Sequence, residues 1–162
     1  MDSVRDWIDS LIDNRKVCGD YADKVDGAIS RAQMMDIVLD ANGISFIPEM
    51  ESKGYELPYE SIISEYGGFV NGRYKRSKDG YTSSMYVLCE DDVDVDTTIT
   101  CFLGCKCWVI LPEFSFREIY LDKNCDVKLS VPSSSRVSIH TWEGAKIDFS
   151  GCSGDVKVTH HT

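Results

Sequence analysis

Apolar residues in the N-terminal part of the chain recur at the three- and four-residue steps of a helix. They predict a first helix over residues 3–14, and the polar first turn suits the positive end of a helix dipole. The apolar face consists of Val4, Trp7, Ile8, Leu11 and Ile12, and the polar first turn of Asp2, Ser3 and Asp6.

Local signals predict where the other helices begin and end. Ser30 and Gln33 have the spacing of a capping box, which predicts a helix that starts after Ser30. Its apolar face runs to Ala41, and Asn42-Gly43 supplies a left-handed stop. Two more helices are predicted, over residues 20–28 and from Pro58 to Gly67-Gly68.

The connecting segments carry turn residues and few apolar ones. Residues 49–57 are predicted to form a polar loop. Phe69–Tyr74 is predicted to form a hairpin around Asn71-Gly72, and Lys78-Asp79-Gly80 is predicted to form another turn.

From Tyr81 onward, apolar and polar residues alternate, as in strands with one buried face. The alternation repeats every ten residues and places apolar residues in columns. The columns are Ile99, Val109, Ile119, Leu129, Ile139 and Phe149; then Cys101, Leu111, Leu121 and Val131; then Val127, Val137 and Ile147.

A fixed strand period favours a stacked repeat, in which each ten-residue unit is one side of a coil. We therefore predict an α+β fold, with a helical N-terminal half capping a β-solenoid or roll; a β-sandwich is the alternative. The predicted regions are 1–68 (helical), 69–98 (hairpin and acidic strand) and 99–162 (β-repeat), the last two forming one compact unit.

The net charge of −10 is distributed unevenly. Residues 99–162 hold seven acidic and seven basic side chains, so the whole net charge lies in residues 1–98. Direct binding to nucleic acid needs clustered Lys and Arg, and only residues 73–78 hold such a cluster, which is typical of a solvated hairpin. We therefore expect protein partners, including a second copy of this chain, and no direct contact with nucleic acid.

The chain shows no targeting signal. Acidic residues stand at the start where a secretory signal needs basic ones, and no stretch reaches the roughly 20 apolar residues that cross a bilayer. We expect a cytoplasmic protein without a membrane partner, or a virion-associated one if a phage encodes it.

The seven cysteines fit neither a disulfide framework nor a zinc site. Their number is odd, and Cys101, Cys105, Cys107 and Cys125 lack paired knuckle spacing, so we expect buried thiols and no metal or cofactor. Phosphate-binding glycine loops and hydrolase motifs are absent, and His160 and His161 stand in a tail that is predicted to fray. No enzyme signature is present.

An acidic stretch and three aromatic residues are the candidate binding residues. Alternation places Asp92, Asp94 and Asp96 on one face of a strand beside Asp91, but the spacing fails the EF-hand test and is typical of an edge protected by charge. Trp108, Tyr120 and Trp142 stand before or after the apolar columns of their strands. We therefore predict that their side chains face outward and form a stripe for a binding partner. Packing of these aromatic side chains against the helical half is the alternative.

Several segments resemble parts of small uncharacterised proteins of gut Bacteroides-type bacteria and their phages or prophages. They are residues 34–46, Asn71-Gly72-Arg73-Tyr74 and residues 80–86, followed by the strand repeats. The resemblance implies no activity and no site residues. It implies an origin in a mobile element.

Three functions remain open at this point. The first is a non-enzymatic structural or protein-interaction protein encoded by a phage or mobile element. The second is an acidic inhibitor that mimics nucleic acid and blocks a host protein, which the concentrated negative charge suggests. The third is an enzyme without a known signature that uses Cys152 or a bound metal.

Overall fold

The computed structural model describes residues 3–40 and 43–162, so the predictions made for Asp2, Ala41 and Asn42 fall outside the described residues. Within these residues, five helices precede ten strands, and the predicted α+β fold is confirmed. The helices are α1 (Ser3–Asp13), α2 (Gly19–Asp26), α3 (Arg31–Val38), α4 (Phe46–Ser52) and α5 (Tyr59–Tyr66). The strands are β1 (Arg76–Lys78), β2 (Tyr81–Val87), β3 (Val93–Asp94), β4 (Ile99–Leu103), β5 (Trp108–Ile110), β6 (Phe116–Leu121), β7 (Asp126–Val131), β8 (Arg136–Trp142), β9 (Lys146–Cys152) and β10 (Asp155–His161).

Helix α3 begins where the capping box predicts. The Ser30 side chain accepts a hydrogen bond from the Gln33 N–H at 3.2 Å, and Gln33 Oε1 accepts one from the Ile29 N–H at 2.7 Å. The first bond satisfies an amide group that the first turn of a helix leaves without a partner, and the second fixes the residue before the N-cap. The start of α3 is therefore set by its own sequence.

Helix α4 is a correction to the predicted loop at 49–57. Its first turn contains Pro48, which a helix tolerates there because the missing N–H has no helical partner. Pro48, Met50 and Glu51 are buried, so packing stabilises a helix of seven residues that would be marginal alone.

The hairpin predicted at Phe69–Tyr74 is also wrong. Asn71 and Gly72 do take left-handed backbone angles (φ 57° and 77°), but no strands flank this turn. Asn71 binds β2 instead: its N–H donates to the Met85 carbonyl at 2.7 Å and its Oδ1 accepts from the Val87 N–H at 2.8 Å. The antiparallel hairpin is formed by β1 and β2 around the other predicted turn, at Asp79-Gly80.

The strands form a β-solenoid of about four turns. Sheet A has the order β1-β2-β4-β6-β8-β10 and sheet B the order β3-β5-β7-β9; all pairs except β1–β2 are parallel. Each coil contributes one strand to each sheet, so Ile119 pairs with Ile139 and Val109 with Leu129, twenty residues apart. The ten-residue period predicted from the sequence is therefore one side of a coil.

Three residues leave the predicted interior columns because the register shifts locally. Ile99 pairs with Glu118, so Thr100 takes the inward place opposite Ile119, while Ile99 and Cys101 face the helices. A bulge in β9 sets two residues opposite Leu129, and Phe149 turns outward, with 42% of its surface exposed.

The helical half covers the outer face of sheet A. Met85, Leu103, Tyr120 and Trp142 point away from the solenoid interior and join one hydrophobic cluster with side chains of the helices. A second cluster fills the interior between the sheets. The predicted cap thus lies along the side of the stack.

None of the helices in the described ranges, 3–40 and 43–162, is long and apolar enough to span a membrane.

Candidate functional site

The outer face of sheet B brings two of the candidate groups together. Trp108 pairs with Lys128, and Lys128 pairs with Asp148, so these side chains form one row across the strands. Val93 pairs with Val109, and Asp92 immediately precedes β3 on the strand next to Trp108. Asp94 lies beside Ile110 in the next row. We call this surface, Asp92, Asp94, Trp108, Lys128 and Asp148, the Trp108 face.

Trp108 is held in position at the surface. Its Nε1–H donates to Ser130 Oγ at 2.9 Å, and Lys128 Nζ lies 4.7 Å from the centre of its ring. The side chain is 38% exposed. An aromatic ring that is already fixed loses little side-chain entropy when a partner covers it, so Trp108 is suited to anchor an interface.

The acidic strand has the alternation predicted from the sequence. Asp91, Asp92, Asp94 and Asp96 are exposed, whereas Val93 and Val95 are buried. Asp96 pairs with Lys75, which lowers the uncompensated charge of the strand. Among the described residues, no group of three His, Cys, Asp or Glu side chains is arranged to hold a metal ion.

The basic segment at 73–78 serves contacts within the chain. Arg76 is buried and its Nη2 lies 3.1 Å from Asp40 Oδ2, and Tyr74 hydrogen-bonds Asp36. Arg73, Lys75 and Lys78 are exposed, as expected of a solvated hairpin, and buried Arg76 is the exception. The segment ties β1 to the acidic helical half.

Tyr120 and Trp142 do not join Trp108 in one exposed stripe. They lie on sheet A and are only 8% and 3% exposed, because the helical half covers them. The alternative that these aromatic side chains pack against the helices therefore holds for both. Only Trp108 of the three remains available to a partner.

A polar cluster that the sequence did not predict lies beside Tyr120 on sheet A. Glu118 Oε1 accepts a hydrogen bond from the Tyr120 hydroxyl at 2.8 Å and lies 2.9 Å from His140 Nε2. His140 Nδ1 lies 2.9 Å from His161 Nε2, and the rings of Tyr120, His140, His161 and Trp142 stack in sequence.

The predicted fraying of the C-terminal residues is wrong, because His160 and His161 belong to β10. The one sequence signal for the contact between Tyr120 and His140 is their separation of twenty residues, which equals one full coil. Because the cluster joins the last coil to the two before it, we expect it to stabilise the end of the solenoid.

The His140 cluster makes stability depend on pH. Burial lowers the pKa of His140 below its ordinary 6.5, His161 and Lys157 lower it further, and Glu118 opposes them. The unfolded chain therefore binds a proton more readily, and stability that is full above pH 6.5 is lost as the pH falls through the folded pKa. We expect His140→Gln to reduce this acid sensitivity in thermal unfolding between about pH 7.5 and 5.

His160→Gln is the matched control, since His160 is exposed. Equal acid sensitivity in the wild type and in His140→Gln would show that His140 does not carry the effect.

Five of the seven cysteines lack the environment of a nucleophile. Cys101, Cys105, Cys107 and Cys125 are buried, and burial contributes to raising the pKa of each thiol. Half-buried Cys152 donates to the Leu129 carbonyl at 3.5 Å, and burial raises its pKa as well. A reactive cysteine needs a lowered pKa.

An apolar cavity of about 70 Å³ lies between the helices and sheet A. Trp7, Met34, Met35, Tyr66 and Leu103 are among the side chains that line it. Pockets that bind cofactors or drug-sized molecules are usually about 300–1,000 Å³. The cavity is therefore a feature of the core and does not fit a cofactor.

Comparison with protein families, with curated proteins and with solved structures gives no match for this chain.

Proposed function

We propose that this protein is a non-enzymatic protein-interaction protein, in which the solenoid holds the Trp108 face for a protein partner. The observation that carries the proposal is the fixed, part-exposed Trp108 in a row of charged side chains on sheet B. Buried aromatic anchors surrounded by polar groups are typical of binding hot spots. Parallel strands paired over several coils give this face a rigid support.

Trp108→Ala is expected to weaken binding of the partner at least tenfold, because truncated aromatic anchors cost about 2 kcal/mol or more. Proteins captured from host cells by the wild type are compared with those captured by Trp108→Ala and by Phe116→Ala. Phe116 is a matched control because it is an exposed aromatic residue of the other sheet. The captured protein is then purified, and its affinity is measured by calorimetry.

A partner that the wild type and Phe116→Ala bind, and Trp108→Ala does not, supports the proposal. Equal affinity of all three proteins for every captured partner contradicts it.

A second copy of this chain is one partner of the required kind, and light scattering at low and high salt tests it. An oligomer that persists in high salt and becomes monomeric in Trp108→Ala assigns the face to self-association. A monomer at both salt concentrations assigns it to a different protein.

An acidic inhibitor of a nucleic-acid-binding protein is the second candidate. It is favoured by the net charge of −10 in residues 1–98 and by the exposed row Asp91, Asp92, Asp94 and Asp96. This function requires binding that weakens steeply with salt and is lost when the four residues become Asn. Binding anchored by burial of the Trp108 ring should weaken much less with salt, and it should be lost in Trp108→Ala. The phage or mobile-element origin belongs to both candidates, and the neighbouring genes test it.

A further inference from the structure

Two buried carboxyl groups meet where the helical half contacts the solenoid. Glu51 lies on α4 and is 1% exposed, and Asp122 follows β6 and is fully buried. Tyr59, the first residue of α5, lies between them. Two buried carboxylates side by side would repel strongly, so their protonation decides whether this contact is stable.

Hydrogen bonds identify Asp122 as the charged member. Its Oδ1 accepts bonds from the N–H groups of Gly104 at 2.9 Å and Asn124 at 3.2 Å. The Cys125 thiol lies 3.2 Å from the same oxygen and 3.2 Å from the Phe102 carbonyl, and its one hydrogen is shared between them. Two N–H donors on one oxygen favour the ionised form. Gly104 is required here, because it has φ 62° and a Cβ would meet the Tyr59 ring at 3.1 Å.

The hydrogen atoms on Tyr59 can then be counted. Its Oη lies 2.5 Å from Glu51 Oε2 and 2.5 Å from Asp122 Oδ2, and Asn124 Nδ2 donates to the same oxygen at 2.9 Å. A phenol carries one hydrogen, so only one of the two carboxyl contacts can receive it. Because Asp122 is the anion, Tyr59 donates to Asp122, and the other hydrogen comes from Glu51.

We propose that Glu51 retains a proton at neutral pH, and that this proton fastens α4 and α5 to the solenoid through Tyr59 and Asp122. Loss of the proton leaves two buried carboxylates facing one phenol and loosens the helical half from sheet A. The proposal is independent of the Trp108 face, which lies on the other sheet.

The surroundings of Glu51 support this assignment. Burial, together with the hydrogen bond and the charge of Asp122, raises the pKa of Glu51 from 4.5 to about 8, while the Tyr59 hydrogen bond and Lys123 oppose the rise. Lys123 also pairs with Glu56 at 3.4 Å, and the thiols of Cys101 and Cys125 lie near Asp122.

The direction of the pH effect follows from these values. Between pH 4.5 and about 8 the folded chain binds a proton that the unfolded chain has released. The stabilisation is full below pH 4.5 and is lost as the pH rises, with the unfolding constant increasing about tenfold per pH unit.

Glu51→Gln tests the proposal, because the amide keeps the shape and can donate to Tyr59 without a titrating proton. We expect the ratio of wild-type to Glu51→Gln unfolding constants, from urea denaturation, to rise about tenfold per pH unit up to about pH 8. Glu60→Gln, an exposed carboxyl of α5, is the matched control and should follow the wild type. Parallel profiles for the wild type and Glu51→Gln would overturn the proposal.

Two measurements on the wild type keep the proposal testable if Glu51→Gln does not fold. Carbon NMR of labelled glutamate side chains should show one carboxyl that titrates near pH 8. Hydrogen exchange, corrected for the intrinsic rate, should show that protection in α4 and α5 falls as the pH rises through this value, while β7 and β8 stay protected. Glutamates that all titrate below about pH 6, or equal loss of protection in α4 and β7, would contradict it.

Discussion

Replacing Phe102 with alanine should lower the free energy of unfolding by about 3–5 kcal/mol. Phe102 is fully buried between the two sheets and is among the largest fully buried side chains of the described residues. Its ring stacks on Tyr86, with centroids 5.3 Å apart and planes 17° apart. Alanine would remove both the buried apolar area and this stacking, and neighbouring strands that are fixed by their ladders cannot collapse to fill the space.

Urea unfolding followed by circular dichroism measures this loss. Phe116→Ala is the matched control, because Phe116 is 61% exposed and its truncation should change stability by less than about 0.5 kcal/mol. A similar loss in the two variants would mean that the space around Phe102 is not filled as the structure shows.

Replacing Trp142 with alanine should also cost about 3–5 kcal/mol, but by separating the two halves of the protein. Trp142 is 3% exposed beneath the helices, and His161 stacks on it with centroids 4.8 Å apart. Alanine would remove contacts on both the helical side and the side of β10. We expect α4 and α5 to lose protection from hydrogen exchange more than β7 does.

Trp108→Ala is the control with the same change of side chain. Trp108 is 38% exposed, so its loss should cost less than that of Trp142, about 1–2 kcal/mol through the Ser130 hydrogen bond and the Lys128 contact. Trp142→Phe tests whether the buried apolar area of Trp142, and not a hydrogen bond of its indole N–H, stabilises the protein. The Trp142 Nε1 has no hydrogen-bond partner among the described residues, so Trp142→Phe should retain most of the stability. Equal losses in Trp142→Ala and Trp108→Ala would refute the buried position of Trp142.

The two variants also separate stability from function. Trp142→Ala should unfold more easily whatever it binds, whereas Trp108→Ala should remain folded and lose its partner. A binding defect in Trp108→Ala while it remains folded therefore cannot be attributed to unfolding.

Local rules explain why much of the fold was predictable from the sequence. The Ser30–Gln33 capping box acts within one turn of helix, so it fixes the start of α3 without help from the rest of the chain. Alternation with a ten-residue period fixes the strands of a coil, because successive side chains in a strand point to opposite faces. Both features depend on residues that are close in sequence.

The same rules fail where distant contacts compete with the local pattern. Helix α4 reads as a polar loop, yet it forms because Met50 and Glu51 are buried against other parts of the protein. Phe149 falls at the ten-residue spacing of the interior column, but one bulge in β9 turns its side chain to the surface. Alternation alone does not locate a bulge, although the adjacent Gly151 is the residue type that often marks one.

For this protein, the sequence alone determined four of the five described helices, the solenoid repeat and the exposure of the acidic strand, because each depends on periodicity along the chain. Only the tertiary structure decided which outer face is free. Trp108, Tyr120 and Trp142 stand at equivalent outward positions, and they differ because the helices cover sheet A and leave sheet B exposed. The tertiary structure also determines the protonation state proposed for Glu51. That state depends on Tyr59 and Asp122, which are distant in sequence and are brought next to Glu51 only by folding.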